Sequence, residues 1–405
     1  MYGIDTNMTS ERTNTAFRSA SAPLFSRRLP QHQQALDRCV VRLRETLAID
    51  GLRNPKIGRA DFSWTYCGAS DWVMGFRAGQ LWLAYQLSGD AAFANSAAAR
   101  KAALNAILQT KAYQDHDLGF QFSLSCVAEW VMTGNMHARD MALRAADALR
   151  ARFDPSGNYI QAWSPVSPTT PERSHFVSGR IIADSMENLP LLYWAWRETA
   201  NADFKYVADA HAATVARHIV RPDGSSFHCF IFDPVTGQPL RGETHQGYSH
   251  TSCWSRGQAW LIHGFAQCYL YTGEAWFLDT ARLLAAKAEQ FLGDKKVPPW
   301  DYCLPAEVEA FRDSSAGAIT AAGVYLIASA CSDENEAERW RGLADRLMEG
   351  LLEQCDLTTH AEAHGFLDHG ASYVHAGLTR AMLPYGDYYF MEALMRSLGH
   401  NQFFW

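Results

Sequence analysis

The feature that most constrains the fold of this chain is the alternating length of its interhelical gaps. Twelve segments carry helical periodicity, near 31–48, 70–88, 91–110, 117–133, 136–152, 180–199, 202–219, 252–273, 275–292, 312–331, 335–355 and 386–399. Segments 2–3, 4–5, 6–7, 8–9 and 10–11 are joined by one to three residues, which makes each pair antiparallel neighbours. Most of the other connections run to roughly 20–30 residues; the gap between segments 3 and 4 is shorter. All long connections therefore emerge at one end of the molecule. The segments also differ by parity. Odd ones such as 91–110 have charged faces, whereas even ones, among them VMGFRAGQLWLAY and SSAGAITAAGVYLI, are apolar nearly all round. A helix that is apolar on every side is enclosed by others. The expected fold is all-α: six outer helices around six inner ones, an (α/α)6 barrel. A linear helical solenoid is the competing arrangement, and no 34-residue repeat consensus supports it. Within 221–250, SFHCFIF, a DPVTG turn and QPLRGET predict a small β-hairpin over the loop-rich end.

No Pro/Gly/Ser linker or charge block divides the 405 residues, so 31–405 reads as a single domain. Residues 1–30 are polar, lack the apolar core of a secretory signal, and read as a poorly ordered N-terminal arm. No apolar run reaches membrane-spanning length. A net charge of −7 without a basic stripe argues against nucleic acid. Nine cysteines, scattered without a CxxC pair, fit reduced thiols in a cytoplasm.

Each inner helix begins where a long loop ends, so six N-termini should face one mouth. Polar residues collect at these starts: Asp71 and Trp72, Asp117, Arg180 and Asp184, Trp254 with Arg256 and Gln258, Asp313, and Asp387. Asp71, Asp313 and Asp387 are expected to be helix caps. Asp184 reads as a full turn inside its segment, on one face with Glu187 and Asn188. A buried polar cluster costs a few kcal/mol of desolvation unless it has a task, and a buried acid suits proton donation. From the residues alone, Asp184 is either a catalytic acid or a structural one. In THQGYSHTSCWSRGQAW (244–260), Arg256 at a helix start is either an anion site or the partner of a nearby Asp. The histidines at 364, 369 and 375 match no ligand spacing, and HExxH, phosphate-loop and GxSxG motifs are missing; no metal is expected.

HDLGF, RIIADSMENLPLLYWA, THQGYSHTSCWSRGQAW, VPPWDY, RDSSAGAITAAG and GDYYFMEAL, in that order over roughly residues 70 to 396, together resemble glycoside hydrolase family 88, the unsaturated glucuronyl hydrolases. The resemblance implies an (α/α)6 barrel and a substrate made by polysaccharide lyases, an oligosaccharide ending in a C4=C5 unsaturated uronic acid. It implies hydration of that vinyl ether with no metal or organic cofactor. By the same resemblance Asp184 is the general acid/base and Asp117 the second carboxylate. Trp72 and Trp254 stack on sugar, His228 and Gln246 bind hydroxyls, and Arg256 and Trp260 lie near the uronate carboxylate. The expected partner is the saccharide alone, with no nucleic acid or membrane, and the protein is expected to be a monomer or weak homodimer. Unsaturated rhamnogalacturonyl hydrolases, sugar epimerases on the same barrel, and a non-catalytic helical binding protein are the competing functions. Two residues depart from the family pattern, Arg77 and Glu187; they are expected either to pair internally or to reshape the pocket.

Overall fold

The computed structural model describes residues 29–163 and 176–405. The expected N-terminal arm, 1–30, lies outside these residues except for its last two. Twelve helices are present among the described residues. The outer ones are α1 (Pro30–Asp50), α3 (Ala91–Gln109), α5 (Met136–Arg150), α7 (Ala202–His218), α9 (Ala275–Leu292) and α11 (Glu334–Gln354). The inner ones are α2 (Met74–Ser88), α4, α6 (Leu189–Thr199), α8 (Ser255–Thr272), α10 (Ser314–Ala330) and α12 (Pro384–Ser397). Helix α4 runs as Leu118–Phe122, a π-helical turn Ser123–Val127, and Ala128–Thr133.

Contacts close the inner ring: α2 meets α4, α4 meets α6, α6 meets α8, α8 meets α10, α10 meets α12, and α12 meets α2. Each outer helix backs the inner helix beside it, and α1 completes the sixth pair by packing on α12. The (α/α)6 barrel expected from the gaps is the observed fold. Its hairpins turn by one local device. Gly89, Gly134 and Gly273 take left-handed conformations that end α2, α4 and α8. The next residues, Asp90 and Asn135, then cap α3 and α5 with their side chains. Ala200 adopts the same left-handed conformation before Asn201, which caps α7.

The inner ring is tight enough to bring backbone against backbone. A Cβ at Gly75 of α2 would collide with the Phe120 carbonyl of α4, and one at Gly119 of α4 with the backbone of Asn188. The same holds for Gly264 against Met186 and Gly323 against His263. This is why apolar inner segments carry glycine at all, since glycine in a helix interior otherwise costs about 1 kcal/mol.

Two short hairpins come first in the chain, β1 (Pro55–Gly58) with β2 (Trp64–Tyr66) and β3 (Phe153–Asp154) with β4 (Tyr159–Ile160). At the mouth, the predicted hairpin is β6 (Cys229–Phe232) paired with β7 (Pro239–Glu243), and it carries a third strand, β5 (Arg180–Ile182), that periodicity did not separate from the helix. Arg180–Ile182 is not helical but a strand, β5, antiparallel to β6 with Ile182 opposite Cys229. Residues Ala183–Asn188 follow as 3-10 turns, and regular helix begins only at Leu189. The long apolar run concealed this boundary, because a buried strand and a buried helix read alike.

Of the three expected aspartate caps only Asp313 caps its own helix, accepting from the Ser315 and Ala316 N–H groups. Asp71 instead accepts the Gly68 N–H and pairs with Lys56, and Asp387 accepts the Phe366 and Leu367 N–H groups of a mouth loop. Arg77 and Glu187 do not pair with each other: Arg77 binds Asp50, and Glu187 binds His263.

The packing makes opposite predictions for two glycine-to-alanine changes. Gly119→Ala should lower stability by about 1–3 kcal/mol through overpacking. Gly342→Ala, in the exposed middle of α11 with nothing within 4 Å of the added methyl, should raise it by up to ~1 kcal/mol. Urea denaturation midpoints check both; equal signs would contradict the backbone-contact account.

Candidate active site

The turn Asp115-His116-Asp117 precedes α4 directly. Asp115 accepts the Asp117 N–H at 2.9 Å, which sets the turn. On the neighbouring inner element, the 3-10 turns after β5 present Asp184 in their first turn. Gly119 lets these two elements touch, and Asn188 joins them: its Oδ1 accepts the Phe120 N–H at 2.9 Å and its amide donates to the Asp184 carbonyl at 3.3 Å. The two aspartates expected to act together are thus brought together. The imidazole of His116 lies between them, with Nε2 3.5 Å from Asp117 Oδ1 and 3.9 Å from Asp184 Oδ1. Neither of these oxygens nor Nε2 has a hydrogen-bond partner. Asp184 is the more open carboxylate, its side chain 17% exposed against 8% for Asp117. Burial pushes the Asp117 carboxyl well above the usual carboxylate range. Burial opposes a charge on His116 and the carboxylates of Asp117 and Asp184 favour one; the Trp163 N–H aimed at Nδ1 leaves no place for a second ring proton and keeps the ring neutral.

Asp115, His116 and Asp117 each bring one ligand-type atom within 4.8 Å of the others. The imidazole is poorly set for a cation there. Its Nδ1 accepts the Trp163 N–H at 3.1 Å, so the proton sits on Nε2, the nitrogen that faces the carboxylates.

Two more histidines have tautomers fixed by backbone donors. His211 Nδ1 accepts the Ile160 N–H at 2.9 Å, which leaves Nε2 to donate to Ser185 Oγ at 2.8 Å. The Ser185 hydroxyl in turn donates to the Ile182 carbonyl, so this chain of bonds grips the turn that carries Asp184. His228 Nδ1 accepts the His245 and Gln246 N–H groups at 3.1 and 3.2 Å, so Nε2 carries its proton, and that N–H is buried without a partner. Burial, followed by the nearby His245 and Arg256, depresses the His228 pKa and keeps the ring neutral. The Ala183 N–H donates to the His228 carbonyl at 2.9 Å, placing His228 beside the Asp184 turn.

The remaining expected residues complete the wall. Trp254 packs on the His228 ring at 4.4 Å and under the Arg256 guanidinium at 4.6 Å. Arg256 also lies over Tyr385 at 5.4 Å. Tyr385 stacks on Trp72 at 5.0 Å, and Trp72 and Trp260 both pack on Phe120. Gln246 donates to the Ser372 carbonyl at 3.1 Å. All eight residues singled out in the sequence therefore belong to one contact network, but not in one role. Trp72 is half-buried, while Trp260 is 1% exposed and lies in the core beneath Phe120 and Tyr389. Arg256 is ion-paired to Asp313 and also donates to the Ala371 and Ser372 carbonyls, so its charge is balanced and its side chain holds the mouth loop. Sequence reasoning passed over His116, His211 and Tyr385. His116 was legible in principle as the residue between two acids in DHD.

A closed ring of six helical hairpins with two carboxylates among aromatic side chains at its mouth places the chain among the (α/α)6-barrel proteins. No family model matches the sequence. The chain is 39% identical to the unsaturated glucuronyl hydrolase of Bacillus sp. (strain GL1), over 85% of this chain and 91% of that protein. It is 30% identical to the unsaturated chondroitin disaccharide hydrolase of Streptococcus pneumoniae (strain ATCC BAA-255 / R6), over 98% and 99%. The crystal structure of the Bacillus sp. GL1 hydrolase superposes with a TM-score of 0.84 at 38% identity, covering 90% of this chain and 96% of that one. The chain belongs to the unsaturated glucuronyl hydrolases, glycoside hydrolase family 88. These relatives do not favour the rhamnogalacturonyl or epimerase readings.

The buried neutral histidine behind the Asp184 turn predicts a pH effect. Burial lowers the His211 pKa to about 3, so the unfolded chain binds a proton that the folded one refuses once the pH drops below the ordinary histidine value. The stability advantage of the wild type over His211→Gln should shrink by about 2 kcal/mol between pH 7 and pH 5. Urea midpoints of both proteins at the two pH values measure it.

Proposed function

We propose that this chain hydrates the C4=C5 double bond of an unsaturated uronic acid at the non-reducing end of a lyase-generated oligosaccharide. Asp184 is its proton-handling group. The observation that carries the reading is the meeting of Asp117 Oδ1 and Asp184 Oδ1 at one imidazole, each without a hydrogen-bond partner, at the mouth where the inner helices begin. The more exposed acid, Asp184, delivers its proton to C4. The π bond breaks as the C4–H bond forms, and positive charge develops at C5, where the ring oxygen shares it. Water adds at C5 and returns a proton to Asp184. The resulting hemiketal opens to a ketone and the rest of the chain leaves from C1.

Asp117, buried and held high in pKa, acts on substrate hydroxyls and on Asp184, since neighbouring carboxyls do not ionise independently. The His228 Nε2–H supplies a fixed neutral donor beside them, and the half-buried Trp72 stacks on a sugar's C–H face. Gln246 and Trp254 shape the surrounding wall, Trp260 backs it from the core, and Arg256 acts through the loop it holds. None of these steps calls for a metal or organic cofactor.

We also infer that 31–405 works as one catalytic domain, because α1 and α12 complete the ring from opposite ends of that range. The ring closes within one chain, which supports a monomer or weak homodimer. No helix among the described residues is long and apolar enough to cross a membrane. All nine cysteines are free, which supports a reducing, cytoplasmic setting.

Consumption of an unsaturated disaccharide should remove the ultraviolet absorbance of its C=C–COO⁻ group. Asp184→Asn should slow that loss by about 10²–10⁴-fold. In heavy water, deuterium should appear at C4 of the product. Turnover indifferent to Asp184→Asn, or deuterium absent from C4, would reject the mechanism.

A further inference from the structure

The mechanism above uses two carboxylates but leaves unused the imidazole between them. His116 is completely buried, and it is a residue on which the site converges from three sides. Asp117 follows it in the chain, Asp184 reaches it from the 3-10 turns after β5, and Trp163 meets it from the loop after β4 (Tyr159–Ile160). The Trp163 contact is rigidly backed. Arg152 binds the Trp163 carbonyl and donates to the Gln161 carbonyl at 2.7 Å, and the Gln161 side chain donates to Ala162 at 2.8 Å. The N–H that this loop aims at Nδ1 therefore has little freedom to withdraw, and the proton of the ring is held on Nε2, toward the acids.

The other ionisable groups around the ring do not compete for it. Asp115 is turned to the Asp117 N–H, His211 is bonded at both nitrogens, His228 has its Nδ1 turned to two backbone donors, and Arg152 is spent on carbonyls. What remains for the Nε2–H is Asp117 Oδ1 and Asp184 Oδ1. Because these distances of 3.5 and 3.9 Å are longer than hydrogen bonds, the ring lies between the two oxygens without closing on either.

We propose that His116 is a positioning residue that makes Asp117 and Asp184 one titrating unit, its Nε2–H stabilising whichever carboxylate is ionised and thereby setting the pH range over which Asp184 carries the proton it must give. This rests on the proton-transfer role proposed for Asp184. With Nδ1 accepting the Trp163 N–H, the ring is neutral and Nε2 bears its proton, so the sign of its effect is fixed. Its presence favours the anionic forms of the carboxylates beside it. The reaction stops at a pH high enough to strip the acid of its proton, and losing a group that favours the anion moves that limit up. Removing His116 should therefore shift the alkaline limb of activity upward.

The test compares kcat against pH for wild type, His116→Ala and His116→Asn on an unsaturated disaccharide. His116→Ala should lower kcat at the optimum by at least tenfold and move the alkaline limb up by about 1 pH unit or more. His116→Asn, which keeps a short N–H donor, should show a smaller shift. A fall in kcat with an unmoved alkaline limb in both variants would make His116 a structural residue only and overturn the proposal. So would an unchanged kcat.

Should His116→Ala fail to fold, the Asn variant and nitrogen NMR of the wild-type ring still decide: a proton on Nε2 with an unprotonated or hydrogen-bonded Nδ1 supports the proposal, and a neutral ring protonated on Nδ1 overturns it. The Asp184→Asn variant separates the two readings. If it retains turnover, the Asp184 role fails. If it is inactive while the His116 profiles are unmoved, only this inference fails.

Discussion

Contact between backbones at the inner ring is the constraint on which the rest of the molecule depends. Side chains usually hold helices 8–10 Å apart. Here the glycines at 75, 119, 264 and 323 remove that spacer where inner elements meet. The consequence at the mouth is direct. Asp117 and Asp184 lie on different elements, 67 residues apart in sequence, and they come within reach of a single imidazole because Gly119 lets α4 settle on Asn188. The ring is a device for fixing that approach, and the outer helices, whose charged faces meet solvent, keep it closed.

Beneath the mouth the same closeness buries a second set of charges. His263 lies between Glu187 at 2.8 Å and Glu392 at 3.1 Å, all three fully buried. Tyr389 donates to Glu187, while Arg396 and the Trp405 indole donate to Glu392. Burial favours neutral Glu187 and opposes a charge on His263. The flanking carboxylates nevertheless raise His263 to about 9, and Arg396 with His263 brings Glu392 down to about 2. Two acids are thus balanced by two bases with nearly every oxygen and nitrogen satisfied, the condition under which buried charge is tolerated. Glu187 is three residues from Asp184 in the same 3-10 turns. The departure from the family's usual sequence at this position therefore lies in the barrel interior, under the turn that carries the acid, and not in the wall that meets a sugar.

Much of this was legible because it follows from periods and gap lengths. Twelve helices, their inner and outer parity and the single loop-rich end all come from where apolar residues recur. The hairpin at 226–243 came from alternation and a DPVTG turn. The strand Arg180–Ile182 was not legible, since GRII leads into an apolar run in which helix and strand patterns coincide; only its pairing with Cys229–Ile231, nearly 50 residues away, decides it. Partner choice was equally hidden. An Asp at a helix start reads as a cap whatever its side chain does, so Asp71 and Asp387 looked like Asp313 until their donors were placed. The pairing of Arg256 with Asp313 was one of two readings, and no local signal separates a salt bridge from an anion site when both partners begin helices.

That pairing bears on how a mouth with so little unbalanced positive charge could receive an anionic sugar. Arg256 is neutralised by Asp313, His228 is kept neutral by burial, and two carboxylates face the same space. The compensating field is built from the backbone. Six inner helices begin at this end, and each turns the positive end of its dipole toward it, a contribution that falls off within the first turn and so acts at the mouth. Fixed neutral donors such as the His228 Nε2–H add direction without adding a charge that Asp184 would feel as a full cation. An architecture of dipoles and neutral donors attracts a carboxylate without placing a full cation beside Asp184, and a ring of helices pointing inward at one bowl supplies it.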